Sequence, residues 1–377
     1  MRAANAINIE DLRTLAKRRL PRMVFDYIDG GADDEQTLRA NTQRFRDREL
    51  LWNVLVDVSD IDLSISVMGV KSPLPFILAP TAAQRLFHPH LGELAAARAA
   101  AAHEAVYAVS TVATQTLEDI AAAHPGPKIF QLYVWKNRAL LEGILERAKA
   151  AGYTGLVLTV DLPAMGNRER DPRNGFTVPV QLNAKTIPQA LAKPAYLIDL
   201  VRGGPAEPAN FNTAGQKDAL DRENGRFDPS ITWEYLAWLR SVWDGPLGVK
   251  GMARPDDARR ALDAGVDAVW ISNHGGRQLD TCPASIDTLE PIAKAVDGQA
   301  EIILDGGVRR GTDIVKAYAL GADAVAVGRA YLYGLAAGGE AGVARAIEIL
   351  RCETERAMAL MGRRSLSELN AADVIER

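Results

Sequence analysis

The sequence predicts an α/β protein: a (β/α)8 barrel of parallel strands with an N-terminal helical cap and a long loop insertion after the fourth strand. Three observations predict it. Eight short apolar runs, rich in β-branched residues, alternate with helical segments along the chain. The runs are apolar at every position, as strands covered on both faces must be in a parallel sheet. The repeat occupies about 250 residues, the length such a barrel needs.

The first four runs are Phe76–Pro80, Val106–Ser110, Ile129–Tyr133 and Gly155–Val160. The second four are Leu247–Lys250, Ala268–Ser272, Ile302–Asp305 and Ala324–Gly328. Between them, Glu93–Ala102, Arg138–Ala150, Pro255–Ala264 and Thr312–Leu320 carry alanine, leucine and charged residues at helical spacing. Three joints share one pattern: RAKAAGYTGLVL, RALDAGVDAVWI and KAYALGADAVAV each end a helix at glycine and begin a strand soon after. Glycine there is a helix stop in the left-handed conformation. A doubly wound open sheet is the alternative arrangement of the same units.

The chain reads as one domain, with a cap over 1–75, the barrel over 76–350 and a C-terminal helical tail over 351–377. The segment between Val160 and Leu247 exceeds any ordinary βα connection and carries prolines at 172, 179, 188, 194, 205, 208 and 229. Residues 172–230 are therefore expected to form an insertion that serves as a lid over the barrel mouth, with a short amphipathic helix in PAYLIDLVRGG. A hydrophobic content of 47% allows a large core. The 44 basic and 48 acidic residues are evenly spread, which excludes the basic stripe of a nucleic-acid binder. Cys282 and Cys352 stand far apart without metal-ligand spacing, so no metal site and no disulfide framework is expected. No run approaches the roughly 18 apolar residues of a membrane span.

Chemistry in this architecture gathers at the carboxyl ends of the strands. Those ends are polar: Thr81, Ser110, Gln131, Tyr133, Thr159, Asp161, Lys250, Asp305 and Arg329 all fall there, with Arg168 shortly after the fourth strand. Asp305-Gly-Gly-Val-Arg-Arg-Gly-Thr-Asp313 and Gly328-Arg329-Ala330 each precede a helix, and together they read as a phosphate site. In SNHGGRQLD, residues 272–280, His274 is placed to reach the mouth, and Arg277 can turn back into the same space. Two guanidiniums, Arg168 and Arg277, beside one base point to an anionic substrate that loses a proton. His88 and His90 lack a third ligand and read as loop residues after strand one.

SNHGGRQLD, LDGGVRRGTD, QLYVWK and LAPTA together resemble the FMN-dependent 2-hydroxy acid oxidase and dehydrogenase family, over about Ile9 to Leu369. The resemblance implies FMN as cofactor. It implies contacts to the isoalloxazine from Thr81, Ala82, Ser110, Gln131, Thr159 and Lys250, and to the ribityl phosphate from Asp305, Gly307, Arg309, Gly328 and Arg329. Tyr27, in FDYIDGGADDE, and Tyr133 match the family's substrate tyrosines, and Arg168 and Arg277 its carboxylate-binding arginines. His274 matches the base, and Asp161 the carboxylate that stabilises the imidazolium.

The activity so implied is oxidation of an L-2-hydroxy acid, lactate-like or larger, to the 2-keto acid. Ala82 stands where the oxidases carry alanine, which favours O2 as electron acceptor; FDPSITWEYLAWLRSVWDGP and the insertion look more like the quinone- or cytochrome-linked lactate and mandelate dehydrogenases. Val112 stands where glycolate oxidases place tryptophan, so the pocket is expected to be roomier. The expected setting is cytoplasmic, with peripheral contact at the inner membrane left open. The family also implies a homo-oligomer, a tetramer or an octamer. A non-redox isomerase on the same barrel would lack the Arg168, Tyr133, His274 and Arg277 set.

Overall fold

The computed structural model describes residues 2–135, 138–177, 183–204, 206–211 and 228–376. Its centre is a closed barrel of parallel strands: β1 (Phe76–Leu78), β2 (Tyr107–Ser110), β3 (Lys128–Leu132), β4 (Gly155–Thr159), β5 (Leu247–Met252), β6 (Ala268–Ile271), β7 (Glu301–Asp305) and β8 (Ala324–Val327). Each pairs with the next in sequence, and β8 closes on β1 through Val327 opposite Leu78. No open sheet forms, because this last pairing consumes both edges. Every residue of β1 to β4, β6 and β8 is buried. Each large apolar side chain so covered contributes roughly 1.5–3 kcal/mol.

The helices begin with the cap: α1 (Ile9–Arg19), α2 (Arg22–Asp29) and α3 (Gln36–Arg46). α1 starts where Asn8 Oδ1 accepts from Asp11 N at 2.8 Å, and it buries Ile9, Leu12 and Ala16, one stripe of a helix. After β1 comes α4 (Glu93–Ala102), then α5 (Leu117–Ala123) and α6 (Arg138–Ala150). The segment after β4 contributes α7 (Arg170–Asn174), α8 (Thr186–Leu191), α9 (Pro194–Gly203) and α10 (Trp233–Val242). Residues 178–182, 205 and 212–227 of the expected lid lie outside the described residues, as do Lys136 and Asn137. The remaining helices are α11 (Pro255–Asp263), α12 (Ser285–Val296), α13 (Gly311–Ala319) and α14 (Arg329–Met361). Gly152, Gly265 and Gly321, the helix stops of the three repeated joints, all have positive φ.

Two features were not visible in sequence periodicity. α14 runs across residue 350, bending at Gly338 and Gly339, so the C-terminal tail shares a helix with the barrel. The chain end then returns: Val374–Glu376 pairs antiparallel with Arg48–Leu50 at the end of the cap. The helix in PAYLIDLVRGG forms, but it buries Tyr196 and Asp199 and turns Ile198 and Val201 outward. The buried side is held by an ion pair from Arg19 of α1 to Asp199.

Candidate active site

The strand ends converge on one cavity of about 710 Å³ at the barrel mouth. That volume lies within the range of sites that hold a cofactor or a drug-sized ligand. Thr81 and Ala82 after β1, Gln131 of β3, Thr159 of β4, Lys250 of β5 and Asp305 of β7 line it. So do Gly307, Arg309, Gly328 and Arg329 from the last two strand ends, and Tyr27, Tyr133, Arg168, His274 and Arg277. Ser110 and Asp161 stand behind the wall: Ser110 is buried with its hydroxyl accepting from Val112 N at 3.3 Å, and Asp161 backs His274.

The stretch SNHGGRQLD reaches its shape through three successive left-handed residues, His274 (φ 56°), Gly275 (φ 65°) and Gly276 (φ 72°). Such a conformation is costly for histidine and ordinary for glycine. A Cβ on Gly275 would meet Arg329 Nη1 at 2.6 Å, and one on Gly276 would meet the Leu38 backbone N at 2.6 Å. The sharp turn aims the imidazole inward. The rest of the stretch anchors the cap: Asn273 and Asn41 of α3 exchange amide hydrogen bonds at 2.8 and 2.9 Å, and Asp280 accepts from Gln36 N and Thr37 N at the start of α3.

His274 Nδ1 lies 3.0 Å from Asp161 Oδ1. A carboxylate there makes Nδ1 the protonated nitrogen, which leaves the lone pair on Nε2. Nε2 faces Tyr133, whose hydroxyl is 3.5 Å away. Burial pushes the Asp161 carboxyl up, but His274 and then Lys250 outweigh it and hold it below the usual carboxylate range. Asp161 Oδ2 is buried without a hydrogen-bond partner among the described residues. The pair is therefore an oriented base with a standing negative charge behind it.

Beside it sits a second charged group. Lys250 Nζ lies 2.9 Å from Asp305 and donates to Ser272 Oγ at 2.7 Å, while Ser272 Oγ donates to Asp305 Oδ1 at 2.7 Å. Trp270 Nε1 donates to Asp305 Oδ2 at 3.0 Å. A buried ion pair survives when its remaining valences are satisfied in this way. Ser272 also accepts from His274 N at 3.0 Å, so one hydroxyl joins the base loop to the lysine. Sequence reading quoted Ser272 but gave it no role.

The guanidiniums form the third group. Arg277 Cζ stands 4.8 Å and Arg168 Cζ 5.8 Å from the Tyr27 ring centroid. Arg277 donates to Tyr27 O at 2.5 Å and Gly30 O at 3.2 Å. Burial and then the neighbouring Arg168 bring Arg277 down to about 9, as two cations crowded together disfavour each other's charge. Arg168 Nε is buried without a hydrogen-bond partner among the described residues, while its Nη2 lies 3.4 Å from Gln278 Oε1. Both guanidiniums line the cavity, and Asp171, which also lines it, is the carboxylate that feels their charge; two such forks side by side suit an anionic group. Arg329 is also depressed, to about 10, chiefly by burial. It donates to Ile28 O, Gly275 O and Gly30 O at 2.7–2.9 Å, so it fastens the cap as well as facing the cavity.

Gly307 has a reason that the motif did not disclose. A Cβ there would lie 1.9 Å from the Asn41 carbonyl of α3, so the cap helix itself demands glycine. Sequence reading also missed the apolar wall: Phe87, Trp135, Met165, Phe176 and Phe211 line the cavity, with Trp135 and Phe211 edge to face at 4.7 Å. Several come from the segment after β4, which has no period to read. Among the described residues no cluster of histidine, cysteine or carboxylate side chains could hold a metal ion.

Comparison with known proteins identifies the family and the fold. The sequence profile of the FMN-dependent dehydrogenases matches residues 16–376. A putative L-lactate dehydrogenase of Mycobacterium tuberculosis is 45% identical over all of this chain and 90% of its own length. An L-lactate oxidase of Nostoc sp. is 44% identical over 98% of each chain. The crystal structure of (S)-mandelate dehydrogenase, a monotopic membrane protein, superposes with a TM-score of 0.94 at 38% identity, covering 99% of this chain and 100% of its own. The chain belongs to the FMN-dependent dehydrogenase family, an oxidoreductase family with FMN as cofactor.

Proposed function

We propose that this enzyme oxidises an L-2-hydroxy acid, lactate-like or larger, to the corresponding 2-keto acid, with O2 as electron acceptor. The observation that carries the reading is the His274–Asp161 pair beside the same cavity that the Arg168 and Arg277 guanidiniums line. FMN, when bound, would take up two electrons and one of the two hydrogens the substrate gives up, the other leaving as a proton, and would pass the electrons on. The residues present suit it: a fixed Lys250 cation and the Gln131 and Thr159 side chains on the cavity wall, and α14 beginning there without a side-chain cap. Thr81, Ala82, Ser110, Gln131, Thr159 and Lys250 would hold the ring, and Asp305, Gly307, Arg309, Gly328 and Arg329 the ribityl phosphate.

Arg168, Arg277 and the Tyr27 hydroxyl bind the substrate carboxylate, each charge-assisted bond contributing roughly 1.5–3 kcal/mol. Tyr133 and His274 meet the hydroxyl-bearing carbon. His274 Nε2 takes the proton that the substrate loses, and Asp161 stabilises the imidazolium that results. Replacing His274 with alanine is expected to cut turnover by roughly 10²–10⁴-fold while FMN stays bound, as read from the visible absorbance of the purified variant. Near-normal turnover would contradict the assignment.

A second acceptor is favoured by a different observation. Ile187 and Leu191 of α8 and Ile198 and Val201 of α9 are exposed, and among the described residues no helix is long and apolar enough to cross a membrane. Exposed apolar residues on the segment after β4, together with the likeness to a monotopic dehydrogenase, support a quinone- or cytochrome-linked enzyme held peripherally at the membrane. Ala82 on the cavity wall supports the oxidase. The exposed run Trp52, Val54 and Leu55 supports a homo-oligomer that covers it.

A further inference from the structure

The loop after β4 carries two arginines with opposite surroundings. Arg168 faces the cavity, whereas Arg170 does not line it and lies against carboxylates of the cap. Arg170 Nη2 is 2.5 Å from Glu35 Oε2, and Nη1 is 3.4 Å from Asp29 Oδ2 and 3.6 Å from Asp26 Oδ1. Asp26 and Asp29 flank Tyr27 on α2. Both ends of α7 are held, since Asn174 Nδ2 donates to Asp26 Oδ2 at 2.7 Å. Glu35 Oε1 in turn accepts from Gly31 N at 3.0 Å, just beyond the end of α2. The three carboxylate side chains are only 9–16% exposed, so these contacts are stronger than an ordinary surface ion pair.

Tyr27 and Arg168 come from segments far apart in the chain, and each must stand at a fixed place to share one carboxylate. We propose that Arg170 is a positioning residue, a latch that holds the Tyr27 helix against the Arg168 loop and so sets the grip on the substrate carboxylate. The proposal rests on the reading of the cavity as a 2-hydroxy acid site. Arg170 has no part in proton or electron transfer, so its loss weakens binding and spares the chemical step. A residue that served only global stability would lower the melting temperature and leave the affinity of the folded enzyme unchanged.

The test uses the FMN-loaded enzyme and 2-hydroxyisobutyrate, which has the carboxylate and hydroxyl of a substrate but no α-hydrogen to lose. Its Kd is read from the perturbed visible spectrum, beside KM and kcat for L-lactate or L-mandelate. In Arg170→Ala the Kd and KM are expected to rise about tenfold with kcat changed less than about threefold. Arg170→Lys recovers part of the loss. Glu35→Gln weakens binding in the same direction, and the double variant is no worse than Arg170→Ala, since both remove one contact. Unchanged Kd in the folded, FMN-loaded variant, or fully additive losses, would overturn the latch. If Arg170→Ala fails to fold, the lysine and Glu35→Gln variants decide by the same readouts. A wild-type enzyme that oxidises neither acid and does not bind the probe overturns the site reading and the latch together; normal wild-type behaviour with unaffected variants overturns the latch alone.

Discussion

At the scale of single residues, the polar side chains that gather at the barrel mouth were the legible ones. His274 and Arg277 could be picked out because a buried strand ends directly before them, and a plain turn has no use for an imidazole and a guanidinium. Their neighbours were not legible as partners: Ser272 joins Lys250, Asp305 and the His274 backbone, yet serine after a strand carries no signal of its own. The substrate side of the pocket depends on side-chain volume. Val112 lines the cavity and is half-buried. Val112→Trp is therefore expected to shift the ratio of kcat/KM for glycolate against larger 2-hydroxy acids by roughly tenfold toward glycolate, the order that a pocket of changed size discriminates. An unchanged ratio in competition assays would place the substrate side chain elsewhere.

At the scale of elements, strand and helix order was read correctly because a buried parallel strand and a helix stop at glycine both leave strong local patterns. The barrel strands fall within a few residues of the expected runs, and Glu93–Ala102 and Arg138–Ala150 form as helices over those spans. The way in which the cap is tied down left no such pattern, since it rests on single contacts between distant segments. Asp29 is its hub: Arg13 of α1 binds both carboxylate oxygens at 2.6 and 2.9 Å, and Tyr333 of α14 donates at 2.8 Å. Burial pushes the Asp29 carboxyl up, but the hydrogen bonds from Arg13 and Tyr333 outweigh it and hold it at about 2, below the unfolded value of 3.8. A lowered folded value gives stability that is fully present above pH ~4 and is lost as pH falls toward 2, here roughly 2 kcal/mol. Asp29→Asn should remove that share of the acid dependence, so its thermal midpoint should fall less steeply than that of wild type between pH 4 and 2. Parallel slopes would mean that the clamp stores no such energy.

At the scale of the whole molecule, the closed barrel brings strand ends from across the sequence to one mouth, and the cap completes it. Arg329 shows the joint logic, since its guanidinium faces the cavity and at once grips the carbonyls of Ile28 and Gly30 in the cap and Gly275 beside the base. Cavity wall and cap are thus tied together, and Arg168 and Tyr27, from distant segments, meet ring to guanidinium at 5.8 Å. The proposed electron acceptor belongs to this scale too, because the two readings draw on different parts of the molecule, Ala82 in the cavity and the exposed apolar residues of α8 and α9. The most direct test of the central claim is to mix the purified FMN-loaded enzyme with L-lactate, and separately with L-mandelate, in the absence of oxygen while following the visible absorbance. Bleaching with at least one acid and prompt return of colour when air is admitted are expected, slow return marking the quinone- or cytochrome-linked alternative. An FMN-loaded enzyme whose absorbance stays unchanged with every L-2-hydroxy acid tried, glycolate and longer-chain acids included, would contradict the claim.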